Sequence, residues 1–406
     1  MKKKILAGIF LVSLISSALT LGLVCFILDL NTKNAFELGR FFAAMRFIEG
    51  HYVQEVERGK LIDGAIGGMV NSLGDPHSIY LAPQLYSQLR AETSGAFGGI
   101  GVYMSFKNGG VQIMNVIPGG PGERAGLLAG DEILAVDGVP VEEISPGEVA
   151  VKIRGEIGTN VELLIGREGF ENTTYNLTRE NIKVKTVAGN MLEDKLGYIK
   201  ISNFSENTGE EFKSTLAELE RAGMKGFVLD MRQNPGGVIT SCIEIAQQLV
   251  PAGTIASVIQ RDGEKEVYTS ELAAAKFPII VLLDRNSASA AELLSGALQD
   301  TKVALVVGEK SYGKGSVQTL IPMLHEDGLK LTIAKYYTPN GRSIDGEGIA
   351  PDVEINLPAT PPHQMYELDI NAEDDPQLAK AEELLRQQVD SGKILFDDDF
   401  LTNNVP

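Results

Sequence analysis

The stretch from residue 197 to residue 307 constrains the fold most, because short apolar segments alternate there with amphipathic ones. The apolar segments have the length of buried strands, and the amphipathic segments have the period of helices. Strands are predicted at residues 197–201, 226–230, 279–283 and 303–307, and helices at 208–223, 239–249 and 290–298. This alternation predicts an α/β fold with parallel crossovers, which carries its sites at the carboxyl ends of the strands.

The remainder of the chain divides into further regions, since 406 residues exceed what one compact core usually covers. Helical periodicity fills residues 35–90, and strand-like segments with glycine turns fill residues 95–170. The predicted boundaries are an N-terminal anchor at 1–30, a helical region at 31–92, a β-rich domain at 93–172, the α/β core at 173–356, and a linker with one exposed helix at 357–406.

The N-terminus predicts a membrane segment. Lys2, Lys3 and Lys4 precede an uncharged stretch at residues 5–28, which is long enough to span a bilayer as a helix. The lysines favour the cytoplasmic side, so the rest of the chain is expected outside the cytoplasm of a bacterial cell. A cleaved signal peptide is the alternative, with small residues at 16–18. An uncleaved single-pass anchor is favoured because residues 19–28 remain apolar.

Charge and composition exclude several classes of function. The formal net charge of −18 argues against nucleic-acid binding, which needs a basic surface to neutralise phosphates. The two cysteines, Cys25 and Cys242, cannot build a disulfide framework, and Cys242 is expected to be a small core residue. None of the four histidines lies beside a second metal ligand, so no metal site and no cofactor are predicted.

Ser289 is the first candidate for chemistry. It lies in a run of small residues at 286–291, between a predicted buried strand and a predicted helix. A serine at such a junction can project from a sharp turn as a nucleophile. A helix-capping box formed with Glu292 explains the same residues structurally.

Lys314 is the second candidate, in the sequence Gly313-Lys314-Gly315 after the next strand. Two glycines place it on a tight turn, expected at the same sheet edge as Ser289. A lysine can act as base for a serine when burial lowers its pKa. The segment at 308–314 resembles the start of a phosphate-binding loop, but Gly315 replaces the required serine or threonine, so nucleotide binding is rejected.

A third element is the turn at residues 230–237, which ends in Pro235-Gly236-Gly237. Backbone N–H groups exposed at such a turn can stabilise an oxyanion. An ordinary strand-to-helix loop is the structural alternative. No histidine lies in a motif typical of a protease base, so a histidine-dependent triad is not supported.

Several motifs in one order make the chain resemble the carboxy-terminal processing peptidases, or tail-specific proteases, from about residue 35 to residue 390. The motifs lie at residues 75–81, 234–237, 287–292, 296–300, 313–318, 338–341 and 348–352. The resemblance implies a mixed-sheet protease core of the crotonase-like, ClpP type. Helical segments flank it, and an inserted β-rich PDZ domain precedes it.

The resemblance also implies roles by position. Ser289 would be the nucleophile, Lys314 the base and Gln318 the residue that orients the lysine. The oxyanion hole would use the N–H of Ala290 with that of a glycine of the turn; Gly236 is favoured, and Gly237 is the alternative. Asp300 aligns with an aspartate that supports the site in some relatives, and a structural role is expected for it here.

For the PDZ domain, the resemblance implies a carboxylate-binding loop and a regulatory residue. The loop would consist of Gly98, Gly99, Ile100, Gly101 and Val102, and would capture a substrate's C-terminal carboxylate. Arg154 matches an arginine that couples substrate binding to the active site in some relatives; a surface ion pair is the structural alternative.

The implied function is a serine endopeptidase that recognises exposed, apolar C-termini of proteins outside the cytoplasm. In relatives the terminal helices build dimers; here Leu38, Phe41 and Phe42 could do so, although core packing explains them equally. Two alternatives stay open. One is a catalytically silent PDZ scaffold on the membrane, and the other is a histidine-dependent PDZ protease.

Overall fold

The computed structural model describes residues 12–17, 20, 32–107, 110–356 and 375–392, which belong to two compact units, 1–80 and 81–406. The first unit holds helices α1 (Thr32–His51) and α2 (Arg58–Asn71). This confirms the helical periodicity predicted for the region. Strand β1 (Ile79–Leu81) lies at the boundary between the units.

The predicted anchor at residues 5–28 lies mostly outside the described residues. Of the predicted linker and helix at 357–406, the structure describes residues 375–392. Among the helices that the structure describes, none has both the length and the apolar character needed to cross a bilayer.

The β-rich region contains a six-stranded antiparallel sheet in the order β3-β4-β5-β7-β8, with β6 paired to β5. Strands β2 and β9 form a separate ribbon. The elements are α3 (Pro83–Ser94), β2 (Ala96–Gly99), β3 (Val102–Lys107), β4 (Gly110–Val116), α4 (Pro121–Ala125), β5 (Glu132–Val136), β6 (Val139–Pro140), α5 (Pro146–Ile153), β7 (Asn160–Gly166), β8 (Thr173–Thr178) and β9 (Glu180–Lys183). The strand-like segments predicted at 95–170 are confirmed as strands, and β3 begins only at Val102, after Gly101 takes a left-handed conformation with φ 74°.

A six-stranded sheet in the order β10-β11-β12-β15-β16-β19 forms the centre of the α/β core. All neighbouring pairs are parallel except β10 with β11. The elements are β10 (Val187–Met191), β11 (Leu196–Ile201), α6 (Thr208–Arg221), β12 (Gly226–Asp230), α7 (Ile239–Leu249), β15 (Ile279–Leu283), α8 (Ala290–Asp300), β16 (Ala304–Gly308) and β19 (Val353–Glu354). The predicted parallel strands are confirmed to within one residue, because both of their faces are buried.

A second sheet packs on the core through strands β13 and β18. Strand β18 pairs with β17 and with β13, and β14 lies beyond β13. The strands of this sheet are β13 (Gly253–Gln260), β14 (Lys265–Ser270), β17 (Ser316–Pro322) and β18 (Gly328–Tyr337). At the end of β18, Tyr336 is 2% exposed and belongs to the same apolar cluster as Ala290 and Leu293. Strand β18 therefore places Tyr336 against the start of helix α8.

The last described helix is α9 (Pro376–Ser391), and it corrects the prediction that the helix within residues 357–406 is exposed. Leu378, Ala381 and Leu385 recur at helical spacing, and they are buried with side chains of the parallel sheet. The helix therefore covers one face of that sheet.

An ion pair joins the start of α9 to the end of β12. The Arg232 guanidinium lies 2.7 Å from the Asp375 carboxylate and 2.6 Å from that of Asp230. Burial alone would raise the pKa of Asp230, but the arginine outweighs it and holds that pKa below its usual value. The Tyr198 hydroxyl donates a third contact to Asp230, at 2.7 Å.

Candidate active site

Ser289 lies between β15 and α8, on a sharp and strained turn. Its φ of 56° and ψ of −116° fall outside the regions that a residue with a Cβ normally occupies. Strain of this kind is concentrated at functional sites, and a strand-to-helix turn of this type projects a serine hydroxyl from the sheet edge. Ser289 is partly buried, whereas Ala290, the first residue of α8, is buried. The geometry agrees with the position predicted for a nucleophile.

Glu292 joins the serine turn to the lysine loop. Its fully buried carboxylate accepts hydrogen bonds from the backbone N–H of Ser289 at 2.7 Å and of Lys314 at 2.8 Å, both at Oε2. Oε1 accepts from Gly313 N and from the Ser311 hydroxyl, each at 2.6 Å. Because the first two donors share one oxygen, the backbone nitrogens of Ser289 and Lys314 lie no more than about 5.5 Å apart.

The loop that carries Lys314 runs from the end of β16 to the start of β17, and the lysine is partly buried. Gly315 is required there, because a Cβ at this position would lie 2.3 Å from the backbone nitrogen of Asp345. The glycine thus lets the lysine loop pass close to the neighbouring segment. The structure brings Ser289 and Lys314 to the same edge of the sheet, as the sequence predicts.

Tyr336 is a further member of this site that the sequence analysis missed. Its hydroxyl donates a hydrogen bond to the carbonyl of Lys314. Burial, opposed by a hydrogen bond with the Ser289 side chain, raises the pKa of Tyr336 well above its usual value. The phenol therefore stays protonated and can keep donating to the lysine loop.

Gln318 lies on β17, partly buried, four residues beyond the lysine. Its side-chain Nε2 donates to the hydroxyl of Ser316 at 2.8 Å and to that of Thr332 at 3.3 Å. These contacts fix the amide on the sheet. Its role in orienting Lys314 stays a prediction.

The Pro-Gly-Gly turn packs directly against the nucleophile. A Cβ on Gly236 would lie 2.7 Å from Ser289 Cβ and 2.9 Å from Ala290 N, so only glycine permits this approach. Gly236 N–H donates to Asn234 Oδ1 at 2.8 Å and is buried, whereas Gly237 is exposed. In this structure the N–H of Gly236, the favoured oxyanion donor, is therefore hydrogen-bonded within the turn, and the alternative, Gly237, is exposed to solvent. Both remain predictions.

Asp300 lies at the end of α8 and has structural partners. Its carboxylate is 2.5 Å from the Arg342 guanidinium and accepts the backbone N–H of Asn340 at 2.9 Å. These contacts hold the turn at residues 338–342. They agree with the structural role expected for this aspartate.

The predicted carboxylate-binding loop is divided between two elements. Gly98 and Gly99 belong to β2, and Val102 begins β3. A Cβ on Gly98 would lie 2.0 Å from the Gly155 carbonyl, so this glycine is required for close packing beside α5. Strand β3 is the terminal strand of its sheet. It therefore offers an edge to which a peptide could add.

Arg154, at the end of α5, contacts the same region. Its guanidinium carbon lies 4.6 Å from the centroid of the Phe97 ring, and Phe97 belongs to β2. The structure thus places the arginine over an aromatic side chain next to the predicted loop. Its regulatory role stays a prediction.

Comparisons with known proteins agree with this arrangement. Residues 195–355 match peptidase family S41, residues 112–167 match a PDZ domain, and residues 29–84 match the N-terminal domain of the activating protease CtpB.

Similar proteins align with most of this chain. The chain is 37% identical over 343 residues to carboxy-terminal processing protease CtpB of Bacillus subtilis (strain 168), covering 82% of this chain and 72% of that protein. It is 35% identical over 352 residues to a carboxy-terminal-processing protease of Bartonella bacilliformis, and the match covers 83% of this chain and 80% of that protein. The crystal structure of a Bacteroides fragilis protein assigned to the S41 proteases has a TM-score of 0.50 and 16% identity, covering 83% of this chain and 91% of that one.

Proposed function

The chain belongs to peptidase family S41, whose carboxy-terminal processing members are serine proteases, and from that premise we propose which of its residues hydrolyse the peptide bond. Ser289 is the nucleophile, and Lys314 is the general base. The observation that carries this proposal is the shared Glu292 oxygen, which holds the backbone nitrogens of both residues within about 5.5 Å of each other.

The proposed reaction proceeds through an acyl-enzyme. Lys314, in its neutral form, takes the proton of the Ser289 hydroxyl while the serine oxygen attacks the substrate carbonyl. The Ala290 N–H and one N–H of the Gly236-Gly237 turn hold the oxyanion. The protonated lysine then gives its proton to the leaving amine, and water releases the acyl group by the same steps.

Gln318 and Tyr336 support the lysine in this scheme. Gln318, held by its hydroxyl partners Ser316 and Thr332, orients the lysine amine. Tyr336 holds the lysine backbone through its hydroxyl. Neither side chain takes up or releases a proton, so both act by placing the base.

The substrate is a protein with an accessible C-terminus. The loop at residues 98–102 binds the terminal carboxylate through backbone N–H groups, and the edge of β3 pairs with the residues before it. Arg154, stacked on Phe97, lies where occupancy of this groove can be sensed. The terminal strand position of β3 and the close packing of Gly98 support this proposal.

The enzyme acts outside the cytoplasm and is held to the membrane by residues 5–28, with Lys2, Lys3 and Lys4 on the cytoplasmic side. The chain also forms a homodimer through its terminal helices. The exposed Phe41 and Phe42 of α1 support this proposal, because they offer apolar surface for a second copy.

The test of the proposed residues is a set of matched variants assayed on casein and on a fluorogenic peptide. Ser289→Ala and Lys314→Ala should each lose turnover by at least about a thousandfold while keeping the fold. Lys310→Ala, in the same loop at an exposed position, is the control and should keep turnover.

Further measurements separate the alternatives. Replacement of all four histidines should leave activity intact, and its loss would favour the histidine-dependent scheme. An amidated C-terminus should slow cleavage, since it removes the charge that the loop binds. Full turnover by Lys314→Ala would exclude the proposed base.

A further inference from the structure

The turn beside the nucleophile contains a strained residue that is not a glycine. Gln233 follows β12, three residues before Gly236, and has a φ of 61°. A residue with a Cβ enters the left-handed region at an energetic cost, and keeps that conformation only when its surroundings hold it there. The conformation of Gln233 sets the direction in which the chain enters the Pro-Gly-Gly turn.

Asp284, at the end of β15, holds Gln233 in this conformation by hydrogen bonds. Its carboxylate is buried, at 4% exposure. Oδ1 accepts the backbone N–H of Gln233 at 3.0 Å, and Oδ2 accepts the side-chain amide of the same residue. A residue that is bound at both its backbone and its side chain by one rigid group cannot rotate about φ without breaking two hydrogen bonds.

The same carboxylate also binds the turn that carries the nucleophile. Asp284 Oδ1 accepts the backbone N–H of Asn286 at 3.1 Å and lies 3.0 Å from the Ser287 hydroxyl. A backbone bond from Ala288 N to Asn234 O, at 2.9 Å, joins the two turns a second time. A third link runs from the Ser287 hydroxyl to the Met231 carbonyl at 2.9 Å. Asp284 is the group among these that also binds the strained Gln233.

We propose that Asp284 is a positioning residue for catalysis, which holds Gln233 in its left-handed conformation and thereby places the oxyanion donors against Ser289. This inference rests on the proposed roles of Ser289 and of the glycine turn. Oxyanion donors act when they lie about 2.7–3.1 Å from the place where the negative charge develops, so a small shift of the turn lowers the rate. The hydrogen bonds of this carboxylate described above go to Gln233, Asn286 and Ser287, so it acts through the two turns rather than on the Ser289 hydroxyl.

The test compares a variant that lacks the Asp284 carboxylate with a second variant in which residue 233 no longer needs that carboxylate to keep its conformation. Asp284→Ala removes both acceptors, and kcat should fall by about 10- to 100-fold with KM changed less than about threefold. Adding Gln233→Gly to this variant should restore most of the lost kcat, because glycine adopts the left-handed conformation without hydrogen bonds to hold it there. Asp284→Asn keeps one acceptor oxygen and should stay within about threefold of the parent enzyme.

The inhibition constant of a suitable inhibitor provides a second measurement, and a smaller fraction of folded protein would not change it. A peptide aldehyde forms a tetrahedral adduct with the serine and needs the oxyanion donors, so its Ki should rise by the factor that kcat/KM falls. Lys302→Gly, at another left-handed residue with φ 56°, is the control and should leave both kcat and Ki unchanged.

Two results would overturn the proposal for Asp284. One is a kcat for Asp284→Ala within about threefold of the parent enzyme. The other is a double variant, with Gln233→Gly, that is as slow as Asp284→Ala alone. If Ser289→Ala keeps its activity, the proposed nucleophile is wrong instead, whatever Asp284 does.

Discussion

Replacement of Glu292 by glutamine tests whether one buried carboxylate holds the serine turn and the lysine loop together. The carboxylate accepts four hydrogen bonds, two at each oxygen. Glutamine has nearly the same shape, but only one of its two terminal atoms is an acceptor. With the amide nitrogen at the place of Oε2, the backbone N–H groups of Ser289 and Lys314 lose their acceptor. With the nitrogen at the place of Oε1, the N–H of Gly313 loses its acceptor, whereas the Ser311 hydroxyl can turn and accept.

The expected effect follows from these losses. A hydrogen bond to a charged group contributes about 1.5–3 kcal/mol, so one or two orphaned donors should lower the free energy of unfolding by roughly 1.5–6 kcal/mol. In one orientation of the amide the backbone nitrogens of Ser289 and Lys314 no longer share an oxygen, and in the other Gly313, next to the lysine, loses its acceptor. A displacement of about 1 Å between catalytic groups can lower the rate about a hundredfold.

The assay combines urea unfolding with the kcat for a peptide substrate, measured on folded protein. Glu148→Gln is the matched control, because Glu148 holds the same position in the capping box of α5, at an exposed site. That change should cost no more than about 1 kcal/mol and leave kcat unaltered. If Glu292→Gln behaves like Glu148→Gln in both measurements, Glu292 does not join the two loops.

Three further predictions concern other parts of the molecule. Gly236→Ala should lower kcat by about a hundredfold or more, since its Cβ would lie 2.7 Å from that of the nucleophile at a φ of 92°; unchanged peptide cleavage would contradict this contact. Gly98→Ala should raise KM for peptides with a charged C-terminus and leave amidated peptides unaffected, because its Cβ would collide with the Gly155 carbonyl. Hydrogen bonds from Arg167 lower the pKa of Asp131, so this pair stabilises the fold fully above the unfolded-state pKa of about 3.9 and loses that effect as the pH falls further. The difference in thermal midpoint between the parent enzyme and Asp131→Asn should therefore narrow below about pH 4, and a constant difference would refute the assignment.

The parallel sheet could be predicted because its strands are apolar on both faces and are separated by amphipathic helices. The edge strands β8 and β9 could not be predicted from the sequence, because most of their side chains are exposed and no apolar run identifies them. The docking of α9 was also missed, because a half-apolar helix after a proline-rich segment has the same pattern whether or not a sheet covers it.

Within the site, local motifs identified Ser289, Lys314 and the glycine turn. Tyr336 reaches the site by the pairing of β18 with β13 and β17, and pairing between distant strands is not encoded in a local pattern. Asp284 ends an apolar strand, a position where carboxylates are common, and only its hydrogen bonds to Gln233 distinguish it. Such contacts between distant segments are visible only once the fold is known.

The ion pair between Arg232 and Asp375 bears on the order in which the enzyme matures. Arg232 directly precedes the strained Gln233, and its guanidinium also lies 3.1 Å from the side chain of Gln377 in α9. During synthesis, every strand of the core leaves the ribosome before this helix does. Until then the sheet face beneath α9 stays exposed to water, and the arginine beside the glycine turn lacks two of its partners. The packing of the parallel sheet is therefore completed only when α9 docks, after all of the described strands of the core have been made.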